Sequence, residues 1–187
     1  MQQIRQIMNQ MISITEEELN EFLSRAVIRT YSKQNELIKP DIVPNEIFFI
    51  NKGLIRVMVT DSTGSEHTVH FALENQFISD YSNFIQREPS FYTLQALEDT
   101  EVVVLPRSAI EWGYKHLKEG EKIGRLIAEY YFIYQDNRIK NTYCRTPKER
   151  YDNISSIFPN IHNRVPQHMI ASYLGISSVH LSRLKKS

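Results

Sequence analysis

The chain has 187 residues, 41% hydrophobic and 11% aromatic, with 22 bases balanced by 22 acids. That length accommodates one ordinary core and a small second domain, and a formal net charge of zero argues against wholesale nucleic-acid affinity. A single cysteine, Cys144, excludes an internal disulfide framework and a cysteine-ligated iron–sulfur cluster. No apolar run approaches the roughly 20 residues that span a bilayer, and the opening "MQQIRQIMNQMISITEEEL" is too polar for a secretory signal; the expected location is the cytoplasm.

In chain order, the first predicted element is a helix over about Ser13 to Ser24, where Thr15 and Glu18 make a capping box ahead of Leu19, Phe22 and Leu23. From Val27 to Leu105 the character changes to short β-rich runs: "AVIRTY", "EIFFI", "LIRVMVT", "EHTVHFAL", "FYTLQAL" and "TEVVVL". Ile55, Val57 and Val59 alternate with Arg56, Met58 and Thr60, the pattern of a half-buried strand. Asn51-Lys52-Gly53 and Asp61-Ser62-Thr63-Gly64 read as hairpin turns. Strands at this spacing predict an antiparallel roll or barrel. Helical periodicity returns from about Arg107 to Tyr143. Ile123, Leu126, Ile127, Tyr130, Ile133 and Tyr134, extended by Ile139, form an apolar stripe long enough to serve a partner helix as well as the roll. Asn137 could set register in a parallel homodimer seam. Pro147, after Thr146, opens a further helix to about Ile157, and "FPNIHNRVP" links it to the last segment.

That segment, "VPQHMIASYLGISSVHLSRLKK", carries the sharpest signal. Pro166 opens a helix with Met169, Ile170, Tyr173 and Leu174 on one face. Gly175 ends it with positive φ, Ile176 plugs the angle, and Ser177 caps a second helix carrying Val179, Leu181 and Leu184. Two short helices joined through glycine are the geometry that seats a helix in the DNA major groove. Charge agrees once the chain is divided. Residues 138–187 hold nine bases against two acids, a net of +7, and residues 1–137 a net of −7, as expected of an acidic sensor joined to a basic DNA-binding tail.

An N-terminal roll, a long helix and a C-terminal helix-turn-helix, in that order, resemble the Crp/Fnr family of bacterial transcription regulators over nearly the whole chain. "RVPQHMIASYLGISSVHLSRLKK" is similar to family members common in Bacteroidetes, and "NEIFFINKGLIRVMVTDSTGSEHTVHFALENQFISDYSNFI" looks like their roll. The resemblance implies an α+β fold: an antiparallel cyclic-nucleotide-binding-like β-roll and long dimerisation helix over 1–143, and an all-α helix-turn-helix domain over 144–187. It implies a homodimer on double-stranded DNA, two recognition helices reading half-sites about 34 Å apart. Base contacts carry over to Ser178, Val179 and Arg183, with Arg183 the candidate for a bidentate bond to guanine. Ser177 would cap the helix near a phosphate, and Gln167, His180, Ser182, Lys185 and Lys186 are candidates for backbone contacts. Many members add a β-hairpin wing here, for which this chain has little sequence.

The roll departs from the family's nucleotide cassette, which resembles Gly-Glu near its start and Arg-Ser/Thr-Ala near its end. Ser79-Asp80 stands at the first and Ser90-Phe91-Tyr92 at the second. Without the arginine a buried phosphate loses its charge-assisted partner, so tight cyclic AMP binding is not expected. The candidate pocket is Phe77, Ser79, Asp80, Ser90, Phe91 and Tyr92, for a small-molecule effector of unknown identity, with Tyr81 and Phe84 adding aromatic surface. Arg87 reads as a solvated loop residue. A cupin-like metal site at His67 and His70 is disfavoured because residues three apart on a strand face opposite ways. No nucleophile elbow, Walker loop or paired carboxylates suggest an enzyme. The alternative is a small-molecule-binding or interaction protein with a vestigial DNA-binding domain.

Overall fold

The computed structural model describes residues 1–185. It opens with helix α1 (Gln2–Met11), not expected from a segment this polar; its Ile4 and Met8, one turn apart, are fully buried. Helix α2 (Glu16–Leu23) begins as expected. Thr15 Oγ1 accepts from Glu18 N at 3.1 Å, and Glu18 Oε2 accepts from Thr15 N at 2.9 Å. Reciprocal capping satisfies two amides that the first turn leaves without helical partners.

The roll follows: β1 (Val27–Tyr31), β2 (Glu36–Ile38), β3 (Glu46–Lys52), β4 (Ile55–Thr60), β5 (Glu66–Ala72), β6 (Phe77–Ile78), helix α3 (Tyr81–Gln86), β7 (Thr93–Ala96) and β8 (Thr100–Pro106). The strands form two four-stranded antiparallel sheets, ordered β1-β8-β3-β6 and β2-β7-β4-β5. Phe48, Ile50, Ile55, Leu94 and Val102 fill the space between them.

Two local expectations change. Asp61–Gly64 is a true hairpin turn between β4 and β5, but Asn51-Lys52-Gly53 is not: β3 and β4 lie in different sheets, so the turn is a corner that carries the chain across the core. Strand β4 is not half-buried either, because Ile55 through Met58 are all buried, Arg56 included. Alternation fails there because the C-terminal helices cover the sheet's outer face. Arg56 is kept satisfied beneath them by Thr68 Oγ1 at 2.9 Å and Glu66 Oε2 at 2.6 Å.

Helices α4 (Arg107–His116) and α5 (Gly120–Cys144) come next, divided at Leu117–Glu119. Helices α1, α2, α4 and the start of α5 pack on the outer face of the first sheet around Phe49, Val103 and Leu105. The remaining helices are α6 (Pro147–Ile157), capped by Thr146 and Glu149, the short α7 (Ile161–Arg164), α8 (Gln167–Leu174) and α9 (Ser178–Leu184). Their core of Ile154, Phe158, Ile161, Ile170, Leu174 and Leu181 is continuous with Leu54, Phe71 and Leu73 of the roll. The helix-turn-helix is therefore docked on the second sheet.

Candidate nucleic-acid interface and effector cavity

Helices α8 and α9 are built by the signals in their sequence. Gly175 ends α8 at φ +68°, a conformation costly for other residues. Ser177 Oγ accepts from His180 N at 3.2 Å, capping α9. Leu181 turns inward and is buried, so the opposite face of α9 is left to solvent. Val179 and Arg183 are exposed on that face, Val179 62% exposed, Ser178 and Ser182 are exposed to either side of it, and Arg183 has no ion-pair partner among the described residues. Gln167 and Lys185 meet at 3.1 Å and tie the two helices together. Ser177 and His180 are also exposed, and Lys186 lies outside the described residues. The arrangement brings together one solvent-facing helix surface with a hydroxyl, a branched apolar side chain and a guanidinium within about one turn.

Docking of this unit on the roll is both polar and apolar. Arg164 of α7 reaches two roll carboxylates, Glu74 at 2.7 Å and Glu98 at 2.6 Å. Those bonds hold the guanidinium's pKa above its ordinary value. Burial pushes Glu74 upward, but the bonds from Arg164 and Gly53 N outweigh it and leave the carboxyl below the usual range. Ser172 Oγ of α8 accepts from Thr68 N at 2.8 Å, and Phe158 packs edge-on to Phe71 at 5.6 Å.

The second feature is a cavity of about 240 Å³ between the roll and α5. Of the predicted pocket residues, Phe77, Ser79, Asp80 and Tyr92 line it, together with Tyr81. Ser90 is buried outside the lining, and Phe91 is 78% exposed. Phe84 packs in the helical core above the first sheet, and Arg87 pairs with Glu111 at the surface. Asp80 is occupied locally: it accepts from Ser90 Oγ at 2.7 Å and Asn83 Nδ2 at 2.9 Å, and caps α3. The two positions that align with the ends of a nucleotide cassette are thus bonded to each other.

Sequence reasoning missed the far wall of this cavity, which includes Ile127, Tyr131 and Tyr134 of α5 and His70 of β5. His70 Nδ1 lies 2.8 Å from Tyr134 Oη, which in turn lies 3.0 Å from Tyr173 Oη on α8. Burial, helped by the Arg138 charge, pushes the His70 pKa down to about 3, so the ring is neutral at pH 7. Strict alternation between the two histidines fails at a bulge. Register passes from Met58↔Thr68 to Val57↔His70, skipping Val69, so His67 and His70 lie on the same side of the strand pair. They remain functionally apart: His67 is exposed and bonds Asp61 at 2.7 Å, while His70 is buried.

Residues 28–116 match the family model described as "Cyclic nucleotide-binding domain". FixK2 from Bradyrhizobium japonicum superposes with a TM-score of 0.72 at 16% identity, covering 86% of this chain and 83% of that one. The chain shares the fold of that protein. CLP of Xanthomonas campestris, described as a c-di-GMP-responsive global regulator, gives 0.70 at 12% identity over 92% of this chain and 90% of its own. A protein of Eubacterium rectale assigned to the Crp/Fnr regulators gives 0.72 at 12% identity, covering 92% of this chain and 82% of that one. No curated protein matches the chain's sequence. The matched residues are the roll from β1 through α4, and α5 to α9 lie beyond them. No described helix is long and apolar enough to cross a membrane.

Proposed function

We propose that the chain is a homodimeric, cytoplasmic transcription regulator of the Crp/Fnr type, without enzymatic activity, in which an effector-sensing unit (1–143) controls a DNA-binding unit (144–187). The observation that carries this reading is the exposed face of α9, placed by a satisfied N-cap and a left-handed glycine on the basic end of the chain. Arg183 donates to guanine O6 and N7, Ser178 to a base or phosphate, and Val179 meets a thymine methyl. Gln167, Ser177, His180, Ser182 and Lys185 meet the phosphate backbone. Association runs along α5, where Tyr130 and Ile133 are 54% and 58% exposed and Asn137 continues the same side one turn on. The roll does not take cyclic AMP in the family's manner, since the Asp80–Ser90 bond closes the cassette and no arginine or lysine lines the cavity among the described residues.

The test is selection of bound sequences from a randomised duplex pool with the purified chain, followed by Arg183→Ala. Enrichment of a two-fold-symmetric site is expected, and Arg183→Ala should weaken binding to it by about 1–3 kcal/mol while relaxing preference at one base pair per half-site. Failure to enrich any duplex would rule the reading out.

A further inference from the structure

The chain passes from α5 to α6 through Arg145 and Thr146 alone, both extended, at φ −115° and ψ 144° and at φ −65° and ψ 157°. Two such residues leave four soft backbone dihedrals between the helices, so side chains must set their angle. The side chain that crosses the joint is Arg150 of α6, half-buried. Its Nη1 donates to Arg145 O at 2.8 Å and to Thr142 O at 3.3 Å, at the end of α5. Its Nε donates to Leu174 O, on the last residue of α8, at 3.2 Å. The bond between Tyr134 and Tyr173 also ties α5 to α8, but about two turns further back along α5.

Helix chemistry explains why a guanidinium sits there. The last four carbonyls of a helix have no partner within it, and that end carries about half a negative charge. The C-terminal ends of a 25-residue and an 8-residue helix meet at this one cation. Arginine can hold both because its N–H groups form a rigid planar fork, whereas a lysine ammonium is a point charge with rotating donors. Leu174 stands immediately ahead of Gly175, Ile176 and Ser177, the turn and cap that lead into α9. The bond from Nε therefore acts next to the solvent-facing helix itself.

We propose that Arg150 is a positioning residue: it fixes the angle of the α8–α9 pair against α5, and through that angle the separation of the half-sites that two chains read. The inference rests on the homodimeric DNA-binding reading above and adds the residue that sets operator spacing. One extra base pair between half-sites moves them about 3.4 Å apart and turns them by about 35°. A reader that accepts a single spacing needs a fixed angle.

Two measurements test it. In selection from duplexes with randomised spacer length, the unaltered chain should enrich one length. Arg150→Met keeps the stem and removes the fork. It should enrich the same bases within each half-site but spread over two or more spacer lengths, and bind the original full site about tenfold more weakly. Its binding to a duplex holding one half-site should change less than about twofold. Without DNA, a spin label on His168→Cys, at an exposed position of α8, in a Cys144→Ser background reports the distance between the two helix-turn-helix units of a pair. That distance should be narrow with Arg150 in place and broadened in Arg150→Met. Should that variant not fold, Arg150→Lys carries both readouts, and both should broaden because the charge is kept and the fork is lost. A single spacer length with a narrow distance in the variants would overturn the proposal. So would weaker half-site binding with a smaller salt slope, the mark of a phosphate contact. A distance that broadens in a chain selecting no duplex keeps the positioning role and sinks the DNA-binding reading. Selection of a paired site whose spacing ignores Arg150 does the reverse. No measurable distance between labels overturns the homodimeric reading and this inference with it.

Discussion

Gly53 turns the corner between the two sheets at φ +106°, and a Cβ built there would lie 2.4 Å from Thr100 Oγ1 and 2.7 Å from Thr100 Cα. Backbone strain and steric overlap act together, so Gly53→Ala should cost about 2–5 kcal/mol of stability in chemical denaturation. His70 makes a prediction of a different kind. Its folded pKa, about 3, lies below the ordinary value of 6.5, so the unfolded chain binds the extra proton first as pH falls. The stability that depends on a neutral His70 is complete above about pH 6.5 and is lost progressively toward pH 3, on the order of 1 kcal/mol per pH unit. In His70→Gln, urea midpoints measured between pH 7 and 4 should fall less steeply than in the unaltered chain. Equal slopes would show that another group controls the acid limb.

At the scale of elements, α5 divides its apolar residues between two tasks. Ile123, Ile127, Tyr131 and Tyr134 line the cavity, while Tyr130, Ile133 and Ile139 remain exposed. The periodicity shows a stripe wide enough for both; it does not show which residue faces which neighbour. A charge in the middle of the proposed seam should be costly there and harmless to the roll. Ile133→Asp is expected to convert dimer to monomer in sedimentation at micromolar concentration, with an unchanged far-ultraviolet spectrum, and to weaken duplex binding through loss of the paired half-site contact. A monomeric unaltered chain would remove the basis of that expectation. Turns were legible to different degrees for a similar reason. Asp61–Gly64 and Gly175 declare themselves through local chemistry, whereas Asn51–Gly53 has hairpin composition but links strands from different sheets.

Across the whole molecule, the main structural result is the attachment of the helix-turn-helix to the roll. Arg164 bridges Glu74 and Glu98, and Phe158 just after α6 and Tyr173 of α8 pack on Phe71. Arg164→Ala should loosen this attachment by about 1–3 kcal/mol, since it leaves two partly buried carboxylates without their partner. The readout is faster amide exchange at Thr68 and its neighbours in β5. Because Glu74 titrates below its ordinary value of 4.5, the contribution of this ion pair is present above about pH 4.5 and is lost as pH falls through the lower folded value. The difference between the two proteins should therefore narrow in acid.

The sequence by itself determined the order of parts: capped α2, a strand-rich middle, a long amphipathic helix, capped α6 and the α8–α9 pair with Gly175 and Ser177. These are local matters, set by caps, turn residues and periodicity within a few residues of one another. Tertiary structure alone decided what depends on residues far apart in the chain. The docked helices buried Arg56 and overrode strand alternation, the bulge at Val69 put His67 and His70 on one side, and the packing of α5 against β5 and α8 joined His70, Tyr134 and Tyr173. Helix α1 belongs with these, because Ile4 and Met8 reveal their role only against the sheet and helices they cover. A single strand or helix carries no record of its distant neighbour, and the cavity is made almost entirely of such neighbours.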